Sequence, residues 1–269
     1  MSAGGDIKRF DWASLRERAE DVAAALIDAE GHGAVLITSN DGRGNLQEQR
    51  ESIIDFLPVI GEPILVYKQQ ALWKHIGVSL EVAPDRVGGI GDIPLHVDLV
   101  NASHPPDFVV FLSEAEDLAG GGKSVVCPFR PALEALDDHS LRELSSVLLK
   151  GGRFYDLENV GVEINPFPVL EIREGCVEWV RFSAKSNKEI FSGSRAALEK
   201  FQKLMTAHEI EFELNHGEAM IINQRLAAHG RRRLGPEQGH IPAKERRSIY
   251  QLFVRAHAHA LSRCFVYPA

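Results

Sequence analysis

The sequence predicts a mainly β fold, a jelly roll with flanking helices packed on its outside. After residue 92, short segments rich in β-branched and aromatic residues follow one another, separated by turn residues. These eight segments are 93–99, 107–113, 123–129, 167–172, 176–182, 209–214, 219–224 and 248–256. Many short strands in one chain favour a sandwich or a barrel. We therefore expect one domain over residues 1–269, with its core at about 93–256 and the segment 11–80 packed on it.

The N-terminal segment supplies helices and strands that we expect to cover the core. A helix is expected from its N-cap Asp11 to about Gly31, because apolar residues recur on one face of this stretch. A second amphipathic helix is expected at 46–57, with strands at 34–38 and 63–68. Two helices would then lie against an early sheet.

Other connections have distinct patterns. Helical patterns interrupt the strands at 131–150 and 194–207, and Glu174-Gly175 between two alternating runs predicts a hairpin turn. The glycine-rich stretch 82–92 lacks the spacing and the following helix of a phosphate-binding loop. We therefore interpret it as a flexible connection.

Composition limits the possible partners. The 30 basic and 38 acidic residues leave a formal charge of −8, opposite in sign to a typical nucleic-acid binder. No stretch has the apolar length of a signal peptide or a membrane span, so we expect a cytoplasmic protein with no membrane partner. Cys127, Cys176 and Cys264 lack the paired spacing of zinc sites and are expected to be free thiols. A small-molecule substrate is the expected partner, and the oligomeric state is not readable.

His96-Val-Asp98 is the first candidate for a metal site. Chance alone gives about 1.6 pairs of the form His-x-Asp/Glu in a chain of this composition. The sequence contains two, and the other, His216-Gly-Glu218, reads as part of a tight hairpin turn between two strands. In contrast, His96 ends a predicted strand, where alternation points His96 and Asp98 to the same face.

His229, just after the strand at 219–224, is a candidate third ligand. Two histidines and one carboxylate form a facial triad, which leaves coordination positions open and is typical of non-haem Fe(II) oxygenases. The alternative, that His229 merely ends a strand, stays open on these residues alone.

Four segments in order resemble the Fe(II)/2-oxoglutarate-dependent dioxygenases of the taurine dioxygenase and clavaminate synthase-like group. They are PLHVDLVNASHPPDF (94–108), GGGKSVVCPF (120–129), MIINQRLAAHGR (220–231) and RRSIYQLFVR (246–255). The resemblance implies a double-stranded β-helix of the cupin-like type. It also implies that His96, Asp98 and His229 bind Fe(II).

The resemblance further implies a site for 2-oxoglutarate. The Gly-Gly-x-Thr segment of the family is matched by Gly121-Gly122-Lys123-Ser124, so Ser124 would offer its hydroxyl to the cosubstrate. Arg247, with Arg246 as the fallback, would bind the distal carboxylate through a planar guanidinium. The Asp-Asn-Arg of the family is matched loosely by Asn223-Gln224-Arg225.

The expected substrate contacts are less regular. Relatives that hydroxylate amino acids have a second arginine four residues after the first, which grips the substrate carboxylate, and here that position is Gln251. Either the substrate lacks a carboxylate there, or another side chain such as Arg86 or Arg225 binds it. His104 follows the triad motif closely and is a further candidate for the pocket wall.

The resemblance implies hydroxylation of an unactivated C–H bond with Fe(II), 2-oxoglutarate and dioxygen. A small polar metabolite, an amino acid or a derivative, is the expected substrate, and desaturation or ring closure are related outcomes. Halogenation is not expected, because related halogenases replace the carboxylate ligand and Asp98 is present. The alternatives are a jelly-roll hydrolase or isomerase using the same ligands without oxygen chemistry, or a non-catalytic binding module.

Overall fold

The computed structural model describes residues 6–39, 45–68, 71–151, 157–185, 190–262 and 265–267. The helices are α1 (Ala19–Ile27), α2 (Leu46–Phe56), α3 (Phe129–Glu134), α4 (Asp138–Ser145) and α5 (Arg195–Ala207). The strands are β1 (Lys8–Asp11), β2 (Ala34–Thr38), β3 (Gly61–Ile64), β4 (Lys74–Gly77), β5 (Ile93–His96), β6 (Phe108–Ala115), β7 (Ser124–Pro128), β8 (Leu148–Leu149), β9 (Phe167–Pro168), β10 (Leu170–Arg173), β11 (Cys176–Val180), β12 (Ile190–Ser192), β13 (Ile210–Phe212), β14 (Ala219–Asn223), β15 (Ala227–Arg231), β16 (Ser248–Ala256) and β17 (Phe265–Val266). Cys264, expected to be a free thiol, lies outside the described residues.

Two sheets pack face to face. The larger has the order β1-β2-β14-β6-β16-β3, and β4 also pairs with β16; the smaller has the order β13-β7-β15-β5. Apolar side chains from both sheets meet in one buried cluster, including Phe111 and Ile249 from the larger and Val126 and Ala227 from the smaller. The strands β8–β12 and β17 form two further three-stranded sheets. The prediction of a mainly β fold with flanking helices is confirmed.

Helices cover the outer face of each large sheet. On the larger sheet, Val22 of α1 and Ile53 of α2 share a buried cluster with Leu252 of β16. On the smaller sheet, Phe201 of α5 packs in a cluster with Ala228 of β15. Burial of each such large side chain contributes about 1.5–3 kcal/mol, which fixes the sheets between their helical layers. Among the described residues, no helix combines the length and apolarity needed to cross a bilayer.

The first helix is shorter than the sequence predicts. Asp11 ends β1, whose backbone pairs in parallel with β2, and its carboxylate accepts a hydrogen bond from Ala13 N–H. This bond caps a single 3₁₀ turn at Trp12–Ser14, and α1 begins only at Ala19. The prediction of one helix starting at Asp11 is therefore wrong at its N-terminal half.

The helix predicted at 131–150 is two helices followed by a strand. Asp137 accepts a hydrogen bond from Ser140 N–H and starts α4, so the chain turns between α3 and α4. Its last predicted turn belongs to β8 instead. The apolar pattern runs through both helices, whereas the strong N-cap inside it marks the break.

Three connections test the turn predictions. Glu174-Gly175 joins β10 to β11 with φ of 52° and 73°, as expected for a tight hairpin turn. In contrast, His216 does not lie in a hairpin, because β13 pairs in the smaller sheet and β14 in the larger. Within 82–92, backbone hydrogen bonds such as Gly91 N–H to the Pro84 carbonyl (2.7 Å) form an ordered series of turns.

Candidate functional site

Two histidines and one aspartate meet where β5 and β15 pair. His96 ends β5 and lies directly opposite His229 of β15, with ring centroids 4.5 Å apart. The carboxylate oxygens of Asp98 each lie 3.5 Å from Nε2 of one histidine. The three ligand atoms all lie within 4.8 Å of one another, close enough to serve as ligands of a single metal ion.

Hydrogen bonds orient two of these three residues. Nδ1 of His96 donates to the carbonyl of Pro94 (2.9 Å), which leaves Nε2 as the lone-pair atom beside Asp98. The Asp98 N–H donates to Oε1 of Gln224 (2.7 Å), whose Nε2 donates to the carbonyl of Pro106 (2.9 Å). Gln224 therefore ties the backbone of Asp98 to the turn between β14 and β15.

Glycine 230 allows the two ligand strands to approach. A Cβ at Gly230 would lie 2.7 Å from the carbonyl oxygen of Ile93 on β5. The neighbouring His229 can therefore pair with His96 only because this position lacks a side chain.

Asn223 occupies the position where the family has an aspartate. Its Nδ2 donates to the carbonyl of Leu26 (3.1 Å) and to Oγ of Ser262 (3.0 Å). An ionised aspartate has no hydrogen to donate to a carbonyl, so asparagine suits this buried position. The departure from the family pattern thus has a local structural reason.

Charges within the triad favour metal binding. Burial by itself raises the pKa of Asp98, but His229 and His96 outweigh it and hold this pKa below its usual value. Burial, and the neighbouring His96, lower the pKa of His229. Burial lowers the pKa of His96, but Asp98 outweighs it and raises this pKa. The shifts at Asp98 and His229 therefore favour the deprotonated ligands that a metal ion requires, whereas metal binding at His96 would displace a proton.

A pocket of about 530 Å³ opens beside the triad. Most of its wall is apolar, and its polar groups lie at two places: the triad with Gln251, and a cationic end formed by Arg231 and Arg247. The lining residues are Ile76, Val87, Ile93, His96, Asp98, Phe111, Ser124, Leu214, Met220, His229, Gly230, Arg231, Arg247, Ile249 and Gln251.

Arg231 forms one part of the cationic end. It lies two residues after His229 on β15, opposite Ser124 of β7. Its Nη2 donates to the carbonyls of Gly89 and Gly91, whereas its buried Nε has no hydrogen-bond partner among the described residues. Burial lowers the pKa of Arg231 to about 10. One donor of a fixed guanidinium is therefore left for a ligand.

Arg247 forms the other part. A Cβ at Gly122 would lie 3.2 Å from Cδ of Arg247, so this side chain runs directly beneath the glycine-rich segment before β7. Burial, and then the nearby Arg231, lower the pKa of Arg247 to about 10. None of the described residues hydrogen bonds to its guanidinium. Ser124 and the two arginines thus converge on one end of the pocket.

The other sequence candidates lie elsewhere. Nε of Arg246 donates to the carbonyls of Gln238 and Ile241, at 3.2 and 3.0 Å, so it fixes the preceding loop. Arg225 pairs with Asp107 (2.7 Å) and stacks on the Trp179 ring.

Arg86 and His104 are both exposed, and neither lines the pocket. His104 shares a hydrogen bond with the hydroxyl of Ser103 instead.

Gln251 lies at the metal end of the pocket. Its Nε2 is 3.3 Å from Oδ2 of Asp98, and the residue is only 6% exposed. Ile249 and Gln251 face the pocket, whereas Tyr250 and Leu252 face the helices, in agreement with strand alternation.

Two residues near the site, Arg231 and Lys74, were not among the site residues predicted from the sequence. Arg231 was detectable, because alternation along β15 places it on the same face as His229. Lys74 of β4 lies opposite Gln251 of β16, and this depends on a strand and a register that the sequence does not indicate.

Comparisons with known proteins agree with this geometry. Residues 2–250 match the model of the taurine catabolism dioxygenase TauD, TfdA family. An asparagine oxygenase solved with Fe(II), 3-hydroxyasparagine and succinate superposes with a TM-score of 0.70 at 19% identity, over 91% of this chain and 81% of that one. The non-haem iron oxygenase OrfP, solved with Fe and α-ketoglutaric acid, gives 0.69 at 16% identity, over 94% and 87%. A search among curated proteins finds no match.

Proposed function

The chain belongs to the taurine catabolism dioxygenase TauD, TfdA family, and from this premise we propose that it is an Fe(II)- and 2-oxoglutarate-dependent oxygenase. The resemblance seen in the sequence is thereby confirmed. The observation that carries the proposal is the cluster of His96, Asp98 and His229 beside a pocket that ends in two arginines.

The donor set fits Fe(II). Two imidazole nitrogens and one carboxylate oxygen from this chain leave positions for a chelating cosubstrate and dioxygen. When bound, iron, 2-oxoglutarate and dioxygen would together supply the chemistry that hydroxylates an unactivated C–H bond, with succinate and carbon dioxide as co-products.

The chain's own residues would hold the distal end of the keto acid. The guanidinium of Arg247 and the unpartnered Nε of Arg231 match the distal carboxylate, and the Ser124 hydroxyl adds a third donor. Two cations at one end of a pocket favour a ligand that ends in a carboxylate. A hydrolase or an isomerase using the triad alone has no need for them.

The apolar wall protects the reaction. Phe111, Met220 and Ile249 line the same pocket as the triad and the arginines, and their apolar side chains disfavour water there. Gln251 donates to Oδ2 of Asp98 and helps to hold the carboxylate in place. These residues position and shield, and they carry no proton transfer.

The proposed substrate is a small polar metabolite, an amino acid or a derivative. The asparagine oxygenase and OrfP, which share this fold, were solved with hydroxylated asparagine and hydroxylated arginine. We propose hydroxylation as the reaction of this chain also. We further propose that residues 1–269 form one domain and that the protein is cytoplasmic. Asp98 argues against halogenation, since it occupies the coordination position that a halide would need.

Anaerobic titration of the protein with Fe(II) and then 2-oxoglutarate tests the proposal. We expect a visible charge-transfer band that appears only with both ligands, and succinate formation once air is admitted. Iron-loaded protein that shows neither the band nor succinate would contradict the proposal.

A further inference from the structure

The edge strand β4 places one cation beside the triad. Lys74 lies directly opposite Gln251 in the antiparallel pairing of β4 with β16. Lys74 and Ile76 are half-buried and share one face of β4, and Ile76 lines the pocket. His75 points to the other face, where its Nε2 lies 2.6 Å from Glu114. Strand alternation therefore turns Lys74 toward the substrate side of the metal site.

A second, smaller cavity connects these residues. Lys74 and Gln251 line it together with Tyr67 and Phe253. The Nζ of Lys74 lies 3.8 Å from the centroid of the Tyr67 ring, which fixes the ammonium by a cation–π contact. Gln251 belongs to both cavities, so this second space adjoins the triad.

The Lys74 ammonium has N–H donors available to bind a ligand. Among the described residues, no carboxylate forms an ion pair with it, and no acceptor receives a hydrogen bond from it. Burial lowers the pKa of Lys74, although the charge of Asp98 opposes this shift. Gln251 uses one amide hydrogen on Asp98 and keeps a second for another acceptor.

We propose that Lys74, together with Gln251, binds the carboxylate of the substrate, so that the substrate is a small carboxylic acid oxidised close to that group. This inference rests on the proposed oxygenase function. One ammonium and one amide donor match the two oxygens of a carboxylate monoanion. A doubly charged phosphate in so small a cavity would need more cationic groups. Arg225 is committed to Asp107, and Arg86 lies outside both cavities.

The first test needs no knowledge of the substrate. Iron-loaded protein saturated with 2-oxoglutarate is treated without oxygen with N-hydroxysuccinimidyl acetate, and acetylation of each lysine is followed by mass spectrometry. Sodium acetate should slow acetylation of Lys74 saturably, by about threefold at twice its dissociation constant. Acetamide should not slow the acetylation of Lys74, and neither should sodium chloride at equal ionic strength. Lys244, whose side chain is 85% exposed, is the internal control.

The second test uses variants and turnover. Small amino acids and carboxylic acids, each paired with its neutral carboxamide, are assayed for stimulation of succinate formation. We expect stimulation by acids only. Lys74→Met should raise the KM for a stimulating acid by about tenfold or more while leaving the KM for 2-oxoglutarate unchanged. Lys74→Arg should restore part of the affinity, and Lys244→Met should change neither constant.

The outcomes separate the two proposals. A rate of Lys74 acetylation that stays flat across the acetate titration would overturn the inference, and so would a carboxamide that stimulates as well as its acid. If wild-type protein gives no charge-transfer band, the oxygenase proposal fails, whereas the acetylation assay still reports whether Lys74 binds a carboxylate.

Discussion

The two ends of the site are built differently. The proposed cosubstrate end, defined by Ser124, Arg231 and Arg247, lies on β7 and β15 and just before β16, and the carbonyls of Gly89 and Gly91 fix Arg231 there. The substrate end, defined by Tyr67, Lys74 and Gln251, lies between β16 and the four-residue edge strand β4. Ser124 and Arg231 thus lie on central paired strands, whereas the proposed substrate contact Lys74 lies on an edge strand.

The difference has a physical origin. Central strands such as β15 are paired on both sides, so a change of register would expose buried residues and misplace the metal ligands. The strand β4 pairs only with β16. A short edge strand can change its side chains at little cost to the fold. The substrate end is therefore the part of this site free to differ between relatives.

Asp98→Ala should have the largest effect, because it removes a ligand on which both ends depend. We expect loss of bound iron and a fall in succinate formation of more than about 100-fold, beyond the range seen for residues that only support a ligand. Iron content by mass spectrometry and coupled succinate detection measure the two effects. Asp55→Ala, an exposed carboxylate at the end of α2, is the matched control. Full activity of Asp98→Ala would contradict the role of Asp98 as a metal ligand, on which both ends of the site depend.

Arg247→Met should affect the cosubstrate end alone. Loss of hydrogen bonds to a charged carboxylate, worth about 1.5–3 kcal/mol, should raise the KM for 2-oxoglutarate roughly 10- to 100-fold. The substrate KM should change little. Arg246→Met is the control, because the neighbouring side chain binds loop carbonyls rather than the pocket. Equal effects of the two variants would show that the cationic end has been assigned to the wrong residues.

The sequence was a good guide to the metal ligands and to Arg247, although not to Arg231. Few residue types can bind iron, so His96, Asp98 and His229 stand out once their strands are recognised. The structure brings all three together. Arg247 was found by its distance from His229 along the chain. These predictions did not require the register of β15 against β5, because the motifs alone identify the ligands.

The substrate end was not predictable in the same way. Lys74 lies in Lys-His-Ile-Gly, a segment too short to show an alternating strand pattern. Its importance comes from pairing with Gln251, which lies more than 170 residues later in the chain. The Arg86 and Arg225 candidates were chosen for charge alone. Charge does not reveal that Arg225 is buried against Asp107.

Gln251→Leu should have the smallest effect and tests the boundary between the two ends. Gln251 touches Asp98 through one amide hydrogen and faces the substrate cavity as well, so its loss removes one hydrogen bond donated by an uncharged amide on each side. We expect the substrate KM to rise about threefold to tenfold, equivalent to about 0.5–1.5 kcal/mol, with iron content and the KM for 2-oxoglutarate nearly unchanged. Gln251→Glu, which places a negative charge beside Lys74, should weaken the binding of a carboxylate substrate more than Gln251→Leu does. If the leucine variant instead loses iron, Gln251 chiefly supports Asp98. The substrate end would then consist of Tyr67 and Lys74 without Gln251.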